Sequence, residues 1–262
     1  MVREYSEKQI SSALHLLEQY NTASNEEVLH QLRVSLKKIK AVLDHLRTLH
    51  PKKIKSTRKK LQLVFHAAGS LREAQLRLKW LAEKKLLLLI RHSSFDQKIK
   101  EEEELFVTNK HGHLKKLKSV SEEIDKYLKK VEEEDLLRYA LELKAKLQEQ
   151  LPIVLKDNWH ALRKLIKQLL YAYHWLTEQD KLKVLTVTAY KRLDMLQENI
   201  GIWHDVVDLQ QWLTDGQFFL SKEKSVKQQF NKAFALVQKD IEVKEKVVMK
   251  QLQAIKKPAN QK

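Results

Sequence analysis

Apolar residues recur at three- and four-residue spacing along almost the whole chain, and the clearest run is Leu29, Leu32, Leu36, Ile39, Leu43 and Leu46. That spacing places all six on one face of a helix, the face that must be buried. Asn25 suits an N-cap, Glu26 and Glu27 suit the positive end of the helix dipole, and Pro51 follows the last periodic residue, so a helix is predicted over about 26–50. The same reasoning predicts helices over about 6–20, 52–68 and 70–91, the second ended by Gly69 and the third by Ser93 and Ser94. Further helices are expected at about 136–150, stopped near Pro152, then at 158–177, 179–199, 202–214 and 219–255, with the tail from Lys256 frayed. The intervening segment, about 101–135, has 11 acidic residues against seven Lys and Arg and contains Gly112, and reads as an acidic connector with helical ends.

Composition narrows this picture to an all-α protein. Four glycines and three prolines in 262 residues are too few for the tight turns of a sandwich, a barrel or a doubly wound sheet. There is no cysteine, which excludes disulfides, thiolate metal sites and cysteine nucleophiles. The charged amino terminus lacks the apolar core of a signal peptide, and the longest apolar run, Leu86 to Ile90, is far short of a membrane span. A soluble, cytoplasmic protein is the expectation.

The two halves of the sequence resemble each other. At an offset of 130, His30, Leu32, Arg33, Leu36, Lys37 and Ile39 fall on His160, Leu162, Arg163, Ile166, Lys167 and Leu169. At an offset of 132, Gly69 falls on Gly201, Glu73 on Asp205, Trp80 on Trp212 and Leu81 on Leu213. Shared helical periodicity accounts for the leucines but not for the glycine and tryptophan matches. An internal duplication is therefore expected, with one helical repeat over about 5–110 and a second over about 121–256.

The formal charge is +16, and it is concentrated. Between residues 30 and 60 a single acid, Asp44, stands against eleven Lys and Arg. His30, Arg33, Lys37 and Lys40 form a stripe spanning about 15 Å beside the buried leucines, and Lys38 adds to its field. Like charges at this spacing oppose the helix, so an anion is expected to compensate them. On the next helix Lys55, Lys59, Gln62 and His66 share one face, flanked by Lys52, Lys53, Arg58 and Lys60. The second half repeats the theme in diluted form with His160, Arg163, Lys164, Lys167, Lys191 and Arg192, while Gln168 and Leu170 replace Lys38 and Lys40. After the paired glycines stand Arg72-Glu73 and His204-Asp205, where the carboxylate is expected either to sit at a helix start favoured by the dipole or to fix the register of the basic side chains, with Arg72 and His204 facing a ligand.

No HExxH zinc helix and no GxxxxGK[ST] phosphate loop occurs, and the basic helices lack the carboxylate cluster that a magnesium-dependent phosphoryl transfer needs. Neither a metal nor another cofactor is expected. The residues thus point to a polyanion-binding surface, with His30, Arg33, Lys37, Lys38, Lys40, Lys55, Lys59, Arg72, His160, Arg163, Lys167, Lys191 and His204 as candidate contacts.

These motifs resemble the CHAD domain, the conserved histidine α-helical domain. Its leading motif, a histidine, two residues, Arg-Val and a basic cluster, is matched by His30-Gln31-Leu32-Arg33-Val34 and the lysines after it. Its Gly-x-x-Arg-Asp turn is matched by Gly69-Ser70-Leu71-Arg72-Glu73, with Glu in place of Asp, and in the second half by Gly201-Ile202-Trp203-His204-Asp205. The resemblance covers nearly the whole chain as a single domain. It implies two pseudo-symmetric helical bundles whose basic helices surround a central groove or pore for inorganic polyphosphate, in a stand-alone, non-catalytic module that could dock on polyphosphate granules. Lysine stands where the family commonly has arginine at 37, 38 and 40, and lysine meets phosphate as a point charge rather than a planar fork. Two other classes stay open at this point, a nucleic-acid binder and a phosphate-processing enzyme. The first is disfavoured because base stacking needs exposed rings and the tryptophans occupy apolar helical positions.

Overall fold

The computed structural model describes residues 1–21, 26–86, 88–89, 95–216 and 221–256. Among these there are ten α-helices, two short 3-10 turns and no strand, so the chain is all-α. The predicted N-cap Asn25, the Ser93-Ser94 break and the tail beyond Lys256 lie outside the described residues. Among the described residues no helix is long and apolar enough to cross a membrane.

The chain divides into two compact units. The first contains residues 1–83 and 94–136 and is built from α1 (Val2–Gln19), α2 (Glu26–Leu49), α3 (Pro51–Glu83), α4 (Phe95–Thr108) and α5 (Lys110–Leu128). The leucine stripe of α2 is its centre: Leu29, Leu32, Leu36, Ile39, Leu43 and Leu46 are all fully buried. Helix α1 packs on α2 through Ile10, Ala13 and Leu17, and α3 packs on its other side through Ile54, Leu61, Val64 and Ala68. The acidic segment is more helical than the sequence suggests, since α5 runs through Gly112 and packs on α1 and α3 with Leu117, Val120 and Ile124.

The second unit contains residues 84–93 and 137–262. Helix α6 (Glu133–Gln150) enters it, and two 3-10 turns lead to α7 (Trp159–Tyr173), α8 (Glu178–Val184), α9 (Val187–Asp215) and α10 (Lys224–Lys256). Helix α9 packs against both α7 and α10. Thr177 and Thr186 cap α8 and α9, each accepting a backbone N–H three residues on, so the predicted helix over 179–199 is divided at Leu185.

Two predicted helix ends are absent. Gly69 and Gly201 do not terminate helices; α3 runs 33 residues and α9 runs 29 residues straight through them. Neither glycine has a positive φ. A mid-helix glycine costs about 1 kcal/mol relative to alanine, so something else must require it at both places.

Candidate polyanion-binding site

What requires Gly69 is the side chain of Arg33. In the first unit α2 lies across α3 so that the guanidinium rests on the glycine, and a Cβ added there would collide with Arg33 Nη1. Nη1 donates to the Phe65 carbonyl at 3.3 Å, one turn before the glycine, and the guanidinium lies over the Phe65 ring at 4.8 Å. The second unit contains the same local arrangement. Arg163 on α7 rests on Gly201 of α9, its Nε donates to the Gln197 carbonyl at 3.0 Å, and an added Cβ would stand 2.6 Å from Nη2 and 2.8 Å from Nε. Both arginines are half-buried. Each therefore locks two helices together, a role the stripe alone does not reveal.

The rest of the first stripe divides into paired and solvent-facing cations. Asp44 is 4% exposed and takes Lys40 Nζ at 2.7 Å on one oxygen and Arg58 Nη2 at 2.7 Å on the other. The single acid of the 30–60 window thus sits beneath the basic face and supplies part of the compensation that the stripe demands. Lys60 leaves the face by donating to Ser119 of α5 at 2.8 Å. His30 and the α3 lysines Lys52, Lys53, Lys55 and Lys59 are exposed, and no carboxylate among the described residues pairs with these lysines. Lys37 and Lys38 of α2 are half-buried.

The expectation that Glu73 positions Arg72 is corrected. Arg72 pairs with Glu26, in the first turn of α2, at 3.0 Å, and Glu73 reaches Arg77 at 3.8 Å. His204 Nδ1 lies 2.9 Å from Asp208 Oδ2. The reason is helical geometry: because α3 and α9 continue through their glycines, adjacent residues point about 100° apart while residues four apart share a face.

In the second unit Lys167 lies 3.5 Å from Gln197 Oε1 and over the Tyr171 ring at 5.3 Å, and Lys164 and Lys191 are exposed. Leu170, at the position matching Lys40, is 4% exposed and belongs to the core. His160 and His204 stack with centroids 4.2 Å apart. Burial above all, and then His204, Lys164 and Arg163, push the His160 pKa down to about 4, against the opposing pull of Asp208. Trp159, Trp175 and Trp203 are buried, but Trp80 and Trp212 are only half-buried, so not every tryptophan is a core residue. The groups that sequence reasoning missed are Glu26, Asp208 and the carbonyls of Phe65 and Gln197. Only the last two left a trace, at four residues before each glycine.

The CHAD domain family matches residues 5–214. A comparison with curated proteins finds no match in sequence. Among solved structures, PptA from Streptomyces chartreusis superposes with a TM-score of 0.64 at 14% identity, over 96% of this chain and 97% of that one, which is a likeness of fold.

Proposed function

Because the chain belongs to the CHAD domain family, a membership that fits a polyphosphate-related function, we propose that it binds inorganic polyphosphate without turning it over. The observation that carries this reading is the composition of the first basic face. Lys52, Lys53, Lys55 and Lys59 stand exposed on α3, and Lys37 and Lys38 are half-buried on α2, the helix packed against it, while the one acid of that stretch lies buried between Lys40 and Arg58. A face of cations with its only internal anion underneath is suited to an external polyanion.

In this reading Lys37, Lys38, Lys55 and Lys59 meet successive phosphates in the first unit, and Lys167 and Lys191 do so in the second. His30, Arg72, His160 and His204 assist, and Lys40 contributes the part of its charge that Asp44 leaves. Arg33 and Arg163 act as positioning residues that hold the basic helices against α3 and α9. Recurrence of the arginine-on-glycine contact in both units supports the reading of the chain as two copies of one helical element. The second copy binds more weakly, since Gln168 and Leu170 carry no charge. Asp44, Glu26 and Asp208 are each engaged by a cation or an imidazole. That arrangement supports binding rather than phosphoryl transfer. Docking onto polyphosphate granules would follow from the same contacts.

Competition tests the proposal. Long-chain polyphosphate is expected to displace duplex and single-stranded DNA of equal total charge, with affinity rising with chain length and falling steeply with salt. Failure to outcompete DNA would replace this reading with that of a nucleic-acid binder. Magnesium-dependent release of phosphate by pure protein would make it an enzyme.

A further inference from the structure

The second unit holds a pair of imidazoles whose surroundings differ from those of the matching positions in the first. His160 on α7 and His204 on α9 stack at 4.2 Å with their planes 34° apart. Asp208 Oδ2 lies 2.9 Å from His204 Nδ1, and His160 Nδ1 is buried with no hydrogen-bond partner among the described residues. The charged groups that act on His160 are Arg163 and Lys164 on α7 itself and Asp208 on α9. From the turn before α7 comes Lys156, which lies 5.9 Å over the Trp203 ring and pairs with Glu245 of α10. Asp208 thus acts on both imidazoles, which are set among cations. At the matching positions of the first unit stand an exposed His30 and Arg72, a permanent cation paired with Glu26.

Two rings at this separation cannot both carry a proton without an anion beyond Asp208, because like charges about 4 Å apart repel and the flanking cations add to the penalty. A run of phosphates supplies that anion. We propose that polyphosphate binding by the second unit is coupled to proton uptake by the His160–His204 pair, so that its affinity rises as pH falls. The inference rests on the reading that the basic faces bind polyphosphate. Without ligand, the His160 pKa of about 4 keeps the ring neutral at pH 7, which leaves it able to accept a proton when phosphate arrives. Each proton taken up steepens the affinity by up to about tenfold per pH unit between the free and the bound pKa.

Calorimetric titration of the full chain with long-chain polyphosphate near pH 6, in two buffers of unlike ionisation enthalpy, counts the protons taken up. The wild type is expected to take up about one proton more than either His160→Gln or His204→Arg, and both variants should show a shallower dependence of affinity on pH. Protonation of the polymer's end groups is common to all three and cancels in the comparison. Equal uptake in wild type and variants would overturn the coupling while leaving polyphosphate binding in place. A wild type that binds at no pH would overturn the underlying reading as well. Should a variant fail to fold, the wild-type His160 resonance decides the point, since its titration must move to higher pH when the polymer is added. An unmoved titration refutes the coupling.

Discussion

Replacing Gly201 by alanine isolates what holds α7 on α9. The substitution removes the mid-helix glycine penalty and so stabilises α9 by about 1 kcal/mol on propensity alone. It also places a methyl group 2.6 Å from Arg163 Nη2 and 2.8 Å from Nε, which no side chain tolerates. The guanidinium must swing away and give up its 3.0 Å bond to the Gln197 carbonyl. A hydrogen bond from a charged donor contributes about 1.5–3 kcal/mol, so the net expectation is a destabilisation of about 0.5–2 kcal/mol. With Arg163→Ala already in place the three atoms nearest the methyl are gone, and the same substitution should stabilise by about 1 kcal/mol. The sign of the effect thus reverses, with a coupling of about 2 kcal/mol between the two positions. Urea unfolding followed by tryptophan fluorescence measures it well, because Trp159, Trp175, Trp203 and Trp212 all belong to the second unit. If Gly201→Ala has the same effect in both backgrounds, the glycine is not there to admit the arginine.

Other consequences follow from the charged groups. The folded-state pKa of His160, about 4, lies below the ordinary histidine value of 6.5, so the folded chain binds fewer protons than the unfolded chain between those limits. Its contribution is present above pH 6.5 and is lost as pH falls toward 4. The full shift corresponds to about 3 kcal/mol, which solvent screening of a partly exposed ring reduces to about 1 kcal/mol. Urea midpoints of wild type and His160→Gln at pH 7 and pH 4.5 should converge at the lower pH, and a constant difference would contradict this. Asp44→Asn leaves Lys40 and Arg58 facing each other without their shared anion; both can partly reach solvent, so the expected loss is about 1–3 kcal/mol, and an unchanged unfolding midpoint would remove Asp44 from the framework of the basic face. Lys55→Glu combined with Lys59→Glu should leave the fold intact, since both side chains are exposed, yet weaken polyphosphate binding and flatten its dependence on salt. Unaltered binding would exclude this face of α3.

How much of this could be read from the sequence differs by element. The α2 stripe could be read fully, because a helix that buries one face needs apolar residues every three or four positions, and all six leucines and isoleucines of that run are buried. The boundary at Pro51 could also be read, with one adjustment: the proline ends α2 and then opens α3, since at the first position of a helix its missing N–H is no loss. The concentration of lysines at 30–60 needs only counting. The paired glycines were visible too, but glycine most often ends a helix, and sequence offers no means of seeing that an arginine 36 or 38 residues earlier would lie on it.

What one chain segment dictates to itself, the sequence determined: helical period, all-α class, and the density of charge along α2 and the start of α3. The tertiary structure decided which of those charges remain for a ligand. Asp44 with Arg58, Glu26 with Arg72 and Arg163 with Gly201 are pairs separated by 14 to 46 positions, and each forms because two helices meet at that level. Helical periodicity says which face a residue shares with neighbours three and four places away, but not which other helix will be packed against that face.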